Sequence, residues 1–123
     1  MAQRILLVDD ENDLRSIVAL RLRKAGFEVE EAIHGADALE KLEKGAKPDL
    51  VILDVMMPVM DGFETCQKIR ETRDHASVPI LFLTARSEDW DMLTGYSKGC
   101  DNYLLKPLEF DKLLAEIRRI LGV

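Results

Sequence analysis

Polar residues of types that can bind cations or phosphate follow four short apolar runs of the sequence. They are Asp9 and Asp10 after residues 5–8, Asp54 after residues 50–53, Thr84 after residues 80–83, and Lys106 after residues 103–105. Carboxylates that share one site repel each other by about 4 kcal/mol for a pair 4 Å apart. A cation must therefore accompany them, and Lys106 supplies one positive charge. Mg²⁺, which prefers a few carboxylate oxygens plus water, would supply the rest.

This set of side chains indicates phosphoryl chemistry. A divalent ion held by one or two carboxylates commonly keeps a phosphate oxygen in its shell, and an aspartate can act as the nucleophile. Transfer of a phosphoryl group to a carboxylate places charge on three oxygens. The ion, Lys106 and the Thr84 hydroxyl would each bind one of them. Each residue taken singly fits an ordinary role as a helix cap, turn former or surface residue. The inference of a phosphoryl site therefore depends on all of them standing at the same position, the end of an apolar run.

The apolar pattern predicts five strands that alternate with five helices. The strands are predicted at 5–8, 27–32, 50–54, 80–84 and 102–105, and the helices at about 14–25, from 35, from 63, at 88–98 and at 110–121. Such alternation gives a parallel sheet with helices on both faces and right-handed crossovers. This is an α/β, flavodoxin-like doubly wound (βα)5 fold.

The strand order is predicted to be 2-1-3-4-5. Strand two alternates polar and apolar residues, which suits a sheet edge, whereas strands one, three and four have the continuous apolar runs of buried strands. In this order the carboxyl ends of strands one, three, four and five lie side by side, where open sheets bind their ligands. Among the helix starts, Asn12 or Asp13 is predicted to cap the first helix and Asp61 the third.

Length and charge narrow the class of protein. The chain has 123 residues, 47% of them hydrophobic and 33% charged, and a net charge of −6. One domain over residues 1–123 is expected, and the negative charge argues against direct nucleic-acid binding. Cys66 and Cys100 stand outside any CxxC, which predicts reduced thiols in a cytoplasmic protein. No stretch has the roughly 18 apolar residues of a membrane span, and no signal peptide is recognised at the N-terminus.

Four motifs of the sequence resemble one family of signalling domains. They are Leu7-Val8-Asp9-Asp10-Glu11, the decapeptide LDVMMPVMDG at 53–62, Leu83-Thr84-Ala85, and GCDNYLLKP at 99–107. Together they make the chain similar to the receiver domain of two-component response regulators, and the resemblance extends from Ile5 to Leu121.

The resemblance implies a role for each matching position. Asp54 matches the aspartate that receives a phosphoryl group from a sensor histidine kinase or a phosphotransfer protein. The other matches are Asp10 as the direct Mg²⁺ ligand, Asp9 as the acid that holds the ion through water, the Met56 backbone carbonyl as a third protein ligand, Lys106 as the ligand of a phosphoryl oxygen, Thr84 as the hydroxyl that moves toward the phosphoryl group, and Tyr103 as the aromatic that then turns inward. Mn²⁺ is an alternative ion.

The resemblance further implies a switch, not an enzyme that acts on other molecules. Such a domain assists only its own phosphorylation and dephosphorylation. Thr84 gains a partner on phosphorylation, which biases a two-state loop. The signalling surface is therefore expected on the helix at 88–98, strand five and the last helix, and it would control a downstream protein or an attached effector domain. The domain is expected to be a monomer or a phosphorylation-dependent dimer.

Two positions are expected to set the lifetime of the phosphorylated state. Met56 lies two residues after Asp54, and Arg86 lies two residues after Thr84. In receiver domains these neighbours tune how water reaches the acyl phosphate. Neither side chain is a good base for water, so slow self-dephosphorylation is predicted.

Three other hypotheses remain open from the sequence. The chain could be the receiver part of a larger DNA-binding regulator, although Lys112 and Glu116 reverse the acid-then-base order of the last helix in the dimers of one such subfamily. A hydrolase of the aspartyl-phosphate type usually has a second acid where Met56 stands. A flavin-binding electron carrier of similar topology would need a phosphate loop after strand one, where acids that repel phosphate are found.

Overall fold

The computed structural model describes residues 2–84, 102–105 and 109–123. Within these ranges the chain forms five strands, four α-helices and a short 3₁₀ turn. The elements are β1 (Arg4–Val8), α1 (Asn12–Lys24), β2 (Glu28–Ala32), α2 (Gly35–Glu43), β3 (Leu50–Asp54), α3 (Gly62–Glu71), the 3₁₀ turn Arg73–His75, β4 (Ile80–Thr84), β5 (Asn102–Leu105) and α4 (Phe110–Leu121). The helix predicted at 88–98 and Cys100 lie outside the described residues.

The five strands form one parallel sheet in the order β2-β1-β3-β4-β5. The predicted strand order is therefore confirmed. All five residues of β3 are buried, as expected for a central strand covered on both faces. The edge strand β2 alternates exposed and partly buried residues along Glu28–Glu31 before Ala32 is buried.

Alternate residues of each central strand contribute to opposite sides of the sheet. Leu6 and Val8 pack with residues of α2 and α3, whereas Ile5 and Leu7 pack with residues of α1 and α4. Two hydrophobic layers thus cover the sheet, one on each face. They hold the carboxyl ends of the strands at a common edge.

The predicted N-cap residue is confirmed for α3 and is wrong for α1. Asp61 caps α3, because its Oδ1 accepts a hydrogen bond from the backbone N–H of Glu64 at 2.8 Å. The prediction that Asn12 or Asp13 caps α1 is wrong: the helix begins at Asn12, and the extended residue before it is Glu11. The carboxylate of Glu11 belongs instead to the acidic group described below.

None of the helices in the described ranges has the length and apolar character needed to cross a bilayer. Cys66 forms no disulfide with another described residue, and its side chain is buried in the layer that contains α3.

Candidate functional site

The sheet places Asp9, which directly follows β1, and Asp54, the last residue of β3, at the same edge. Val8 of β1 is the register partner of Leu53 of β3, and each aspartate is the next residue along its chain. Both are almost completely buried, with exposed fractions of 1% for Asp9 and 2% for Asp54. Buried carboxylates require hydrogen bonds or a counter-charge to offset lost hydration.

Hydrogen bonds fix both the backbone and the side chain of Asp9. Its N–H donates to the carbonyl oxygen of Ala32 on β2 at 3.2 Å, and its own carbonyl oxygen accepts from the Nη1 of Arg15 at 2.7 Å. Its Oδ1 accepts from the backbone N–H of Glu11 at 2.9 Å. Asp9 is therefore held in one orientation at the end of β1.

A third carboxylate completes an acidic group at this edge. Carboxylate oxygens of Asp9, Glu11 and Asp54 lie within 4.8 Å of one another. Two unit charges at that separation repel by about 3 kcal/mol at an effective dielectric of about 20. Three oxygen donors at this spacing form a group that could hold a metal ion, and hard divalent cations favour such oxygen ligands.

Asp10 occupies a different place from Asp9. It is exposed, and the three carboxylates that lie within 4.8 Å of one another include Glu11 in its stead. The role of Asp10 as the direct ion ligand remains a prediction.

The loop after β3 is tied to Asp54 and to the sheet. The backbone N–H of Met56 donates to the Oδ1 of Asp54 at 3.2 Å, and the N–H of Val55 donates to the carbonyl oxygen of Leu83 at 2.9 Å. Gly62, the first residue of α3, donates its N–H to the carbonyl oxygen of Val55 at 3.0 Å. The Met56 side chain is 54% exposed, while its backbone belongs to the site.

The start of α3 packs directly on the end of β3. A Cβ at Gly62 would lie 2.5 Å from the backbone oxygen of Asp54 and 2.9 Å from the Cα of Val55. Only hydrogen fits at that distance, so glycine is needed for space. Val59 in the loop between these elements has a φ of 68° and is fully exposed.

The remaining predicted site residues are only partly covered by the described ranges. Thr84 ends β4, paired in register with Leu105, and its side chain is outside the described part of the structure. Tyr103 on β5 is half-buried and packs against the layer that contains α2 and α3. Lys106 and Arg86 are outside the described residues.

The sequence patterns predict no role for two contributors to this site, Glu11 and Arg15. The run Asp9-Asp10-Glu11 indicates an acidic site, yet it does not determine which two of its carboxylates lie close to that of Asp54. Arg15 stands among helix-forming residues, and only the packing of α1 on β2 reveals its contacts.

The profile of the response regulator receiver domain family matches residues 5–118. This match covers most of the chain, which therefore belongs to the receiver domain family of two-component response regulators.

Curated relatives are similar over nearly the whole chain. The DNA-binding dual master transcriptional regulator RpaA of Synechocystis is 37% identical over 96% of this chain and 48% of its own length. The transcriptional regulatory protein AfsQ1 of Streptomyces coelicolor is 42% identical over 95% of this chain and 50% of its own length. The chain thus spans about half the length of the curated relatives it matches.

Solved receiver structures share the fold over their full length. The chemotaxis protein CheY4 of Vibrio cholerae superposes with a TM-score of 0.91 at 37% identity, covering 98% of this chain and 100% of that chain. The response regulator TrrA of Thermotoga maritima, in complex with Mg²⁺ and BeF, gives a TM-score of 0.85 at 35% identity over 97% and 99% of the two chains. The receiver domain of the sensor histidine kinase PA1611 from Pseudomonas aeruginosa, with a magnesium ion coordinated in its active site cleft, gives 0.89 at 29% identity over 100% of each.

Proposed function

We propose that this chain is a phospho-accepting signalling switch and that Asp54 is the acceptor. The observation that carries the proposal is the burial of Asp54 at the end of the central strand, with carboxylate oxygens of Asp9 and Glu11 within 4.8 Å. Two buried carboxylates beside a third destabilise the fold unless a cation neutralises them, so their proximity favours a cation site.

The donor in this proposal is a phosphohistidine of a sensor kinase or a phosphotransfer protein. A carboxylate oxygen of Asp54 attacks the phosphorus atom, and a P–O bond forms as the P–N bond to the donor imidazole breaks. The electron pair of the broken bond returns to the imidazole nitrogen, which takes up a proton. The domain assists this transfer and the later hydrolysis, and acts as an enzyme on no other substrate.

Mg²⁺, or Mn²⁺ in its place, is the proposed cofactor. When bound, the ion supplies positive charge to the oxygens of the transferring phosphoryl group. Asp9 and Asp54 would hold it with the Met56 carbonyl and either Asp10 or Glu11, and Lys106 and Thr84 would bind the remaining phosphoryl oxygens. The structures of TrrA with Mg²⁺ and BeF and of PA1611 with magnesium support Mg²⁺ as the ion here by similarity.

The output of the switch is a change in a protein-binding surface. A hydrogen bond between Thr84 and the phosphoryl group, with Tyr103 turning inward, would alter the signalling surface that the sequence predicts on residues 88–98, β5 and α4. A downstream protein or an effector domain would bind one state of this surface better than the other.

A second candidate concerns the protein as a whole. Relatives such as RpaA and AfsQ1 are named as transcriptional regulators, and this chain matches about half of each. The domain would then be the receiver part of a longer DNA-binding regulator, in which nucleic acid is bound by the other part. The negative charge of this chain, −6, is consistent with that division of roles.

Phosphorylation with a small phosphodonor tests the proposal. The chain is incubated with acetyl phosphate and Mg²⁺, and its intact mass is measured. We expect a gain of one phosphoryl group in the wild type and in Asp74→Asn, whose aspartate is exposed in the turn before β4, and no gain in Asp54→Asn. An unmodified wild type, or a variant Asp54→Asn that is modified like the wild type, would remove Asp54 as the acceptor.

The lifetime of the phosphorylated state tests the role of Met56. Its side chain is exposed beside Asp54, where a polar replacement can orient the attacking water. We expect Met56→Asn to dephosphorylate about tenfold faster, less than the roughly 10²–10⁴-fold of a positioned acid or base, because asparagine orients water without taking its proton. Val59→Asn is the matched control in the same loop, since asparagine tolerates its positive φ. The lifetime is measured from the decay of the phosphorylated mass over time. Equal lifetimes for Met56→Asn and the wild type would contradict this role.

A further inference from the structure

Arg15 connects α1 with the end of β1 and with the edge strand. It is only 8% exposed, which is unusual for a charged residue unless it is paired. Its Nη1 donates to the carbonyl oxygen of Asp9 at 2.7 Å, and its Nε donates to the Oε1 of Glu31 at 3.2 Å. The planar guanidinium can make both bonds at once, which an ammonium group cannot reproduce.

These bonds belong to a network of hydrogen bonds that joins Asp9, Glu11 and Arg15. The backbone N–H of Arg15 also donates to the carbonyl oxygen of Glu11 at 2.9 Å, and the N–H of Glu11 donates to the Oδ1 of Asp9 at 2.9 Å. The bond from the Arg15 N–H to Glu11 is the first backbone bond of α1 and does not depend on the side chain, whereas the bond to the Asp9 carbonyl does. The carboxylates of Asp9 and Glu11 both belong to the acidic group at the site.

Arg23 shares part of this environment without reaching the site. Its Nη2 donates to the carbonyl oxygen of Val29 at 2.8 Å and lies 3.5 Å from the Oε2 of Glu31. Its side chain is 47% exposed, against 10% for the side chain of Arg15. Arg23 is therefore a natural control: it has the same side-chain type, the same helix and the same acidic partner, and its hydrogen bonds go to β2 instead of to Asp9.

We propose that Arg15 is a positioning residue for the metal ion: its side chain holds the end of β1, and with it Asp9, in the geometry that binds the cation. The proposal rests on the proposed function, because it requires that the acidic group binds Mg²⁺. Residues that orient metal ligands through hydrogen bonds contribute strongly to affinity, and their replacement typically weakens binding about 10–100-fold.

The direction of the change in Mg²⁺ affinity distinguishes a positioning role of Arg15 from an effect of its charge. Arg15 carries a positive charge close to a cation site, so electrostatics alone predicts that its removal strengthens Mg²⁺ binding. Positioning predicts the opposite, since the released Asp9 carbonyl allows the end of β1 to move. A weaker affinity in a variant without the charge is therefore a result that the charge effect cannot produce.

Calorimetric titration with Mg²⁺ tests the proposal on the folded chain, alongside urea unfolding of each variant. We expect Arg15→Met, which retains an apolar stem of similar length, to weaken Mg²⁺ binding about tenfold. We expect Arg15→Lys to give a smaller loss, because its ammonium group can keep one of the two side-chain contacts. Arg23→Met is expected to bind Mg²⁺ within about twofold of the wild type even where its unfolding midpoint falls.

The outcomes separate this proposal from the proposed function. If Arg15→Met binds Mg²⁺ as tightly as the wild type or more tightly, positioning by Arg15 is overturned while the metal site stands. If Arg15→Met does not fold, Arg15→Lys provides the test. A Mg²⁺ affinity of Arg15→Lys equal to that of the wild type then overturns positioning by Arg15. A wild type that binds no Mg²⁺ overturns the metal site of the proposed function, and with it the premise of this inference.

Discussion

Replacement of Asp54 by asparagine is expected to stabilise the metal-free protein against unfolding by about 2 kcal/mol. Asp54 is 2% exposed and lies near the carboxylates of Asp9 and Glu11, so the change removes two repulsive pairs and one buried charge. The hydrogen bond from the Met56 N–H to Oδ1 can persist with asparagine. The measurement is urea unfolding in the presence of a chelator.

The same variant is expected to lose most of its stabilisation by Mg²⁺. A ligand that binds only the folded state stabilises it by about 2.7 kcal/mol at a hundred times its dissociation constant. The wild type should therefore become more stable as Mg²⁺ is added, whereas Asp54→Asn should respond weakly. The two stability curves are expected to approach each other at high Mg²⁺ concentration.

Two neighbouring acids provide the controls. Glu11→Gln should give a smaller gain in metal-free stability, because its carboxylate lies near those of Asp9 and Asp54 but is exposed to solvent. Asp10→Asn should leave that stability nearly unchanged, since its carboxylate is not one of the three that lie within 4.8 Å of one another, and its Mg²⁺ response reports whether Asp10 is a direct ligand. If Asp54→Asn is less stable than the wild type without metal, repulsion within the group does not dominate its energetics.

Replacement of Gly62 by alanine is expected to destabilise the fold by about 3 kcal/mol, at the upper end of the usual range for overpacking. The new methyl group would meet the backbone of β3 at 2.5 Å, and that backbone is held in place by the hydrogen bond from Val55 to Leu83. Either α3 or the end of β3 must therefore move. Because the displaced group carries Asp54, we also expect slower phosphorylation by acetyl phosphate.

Gly45→Ala is the matched control for this prediction. Gly45 has a φ of 104°, and a Cβ added there would have no heavy atom of the described residues within 4 Å. Alanine at this position therefore meets conformational strain alone, roughly 1–2 kcal/mol, whereas Gly62 does not adopt a positive φ. Chemical denaturation measures both variants. A smaller loss for Gly62→Ala than for Gly45→Ala would contradict close packing of α3 on β3.

The amino-acid sequence determined the architecture of the sheet. Continuous apolar runs in β1, β3 and β4 and the alternation in β2 are sufficient to predict the order β2-β1-β3-β4-β5, because burial on two faces and burial on one face leave different patterns. The same patterns placed Asp9 and Asp54 at one edge, since parallel strands bring their carboxyl ends together. The cap of α3 by Asp61 was also predictable, because capping depends on neighbouring residues.

Only the tertiary structure decided which side chains surround that edge. Both Asp10 and Glu11 are exposed, and that the Glu11 carboxylate lies near those of Asp9 and Asp54 depends on how the chain turns from β1 into α1. The contact of Arg15 with the Asp9 carbonyl requires α1 to pack on β1 and β2, and the need for glycine at position 62 comes from the approach of α3 to β3. Hydrophobic periodicity records the face a residue occupies, whereas these features depend on distances between elements remote in sequence.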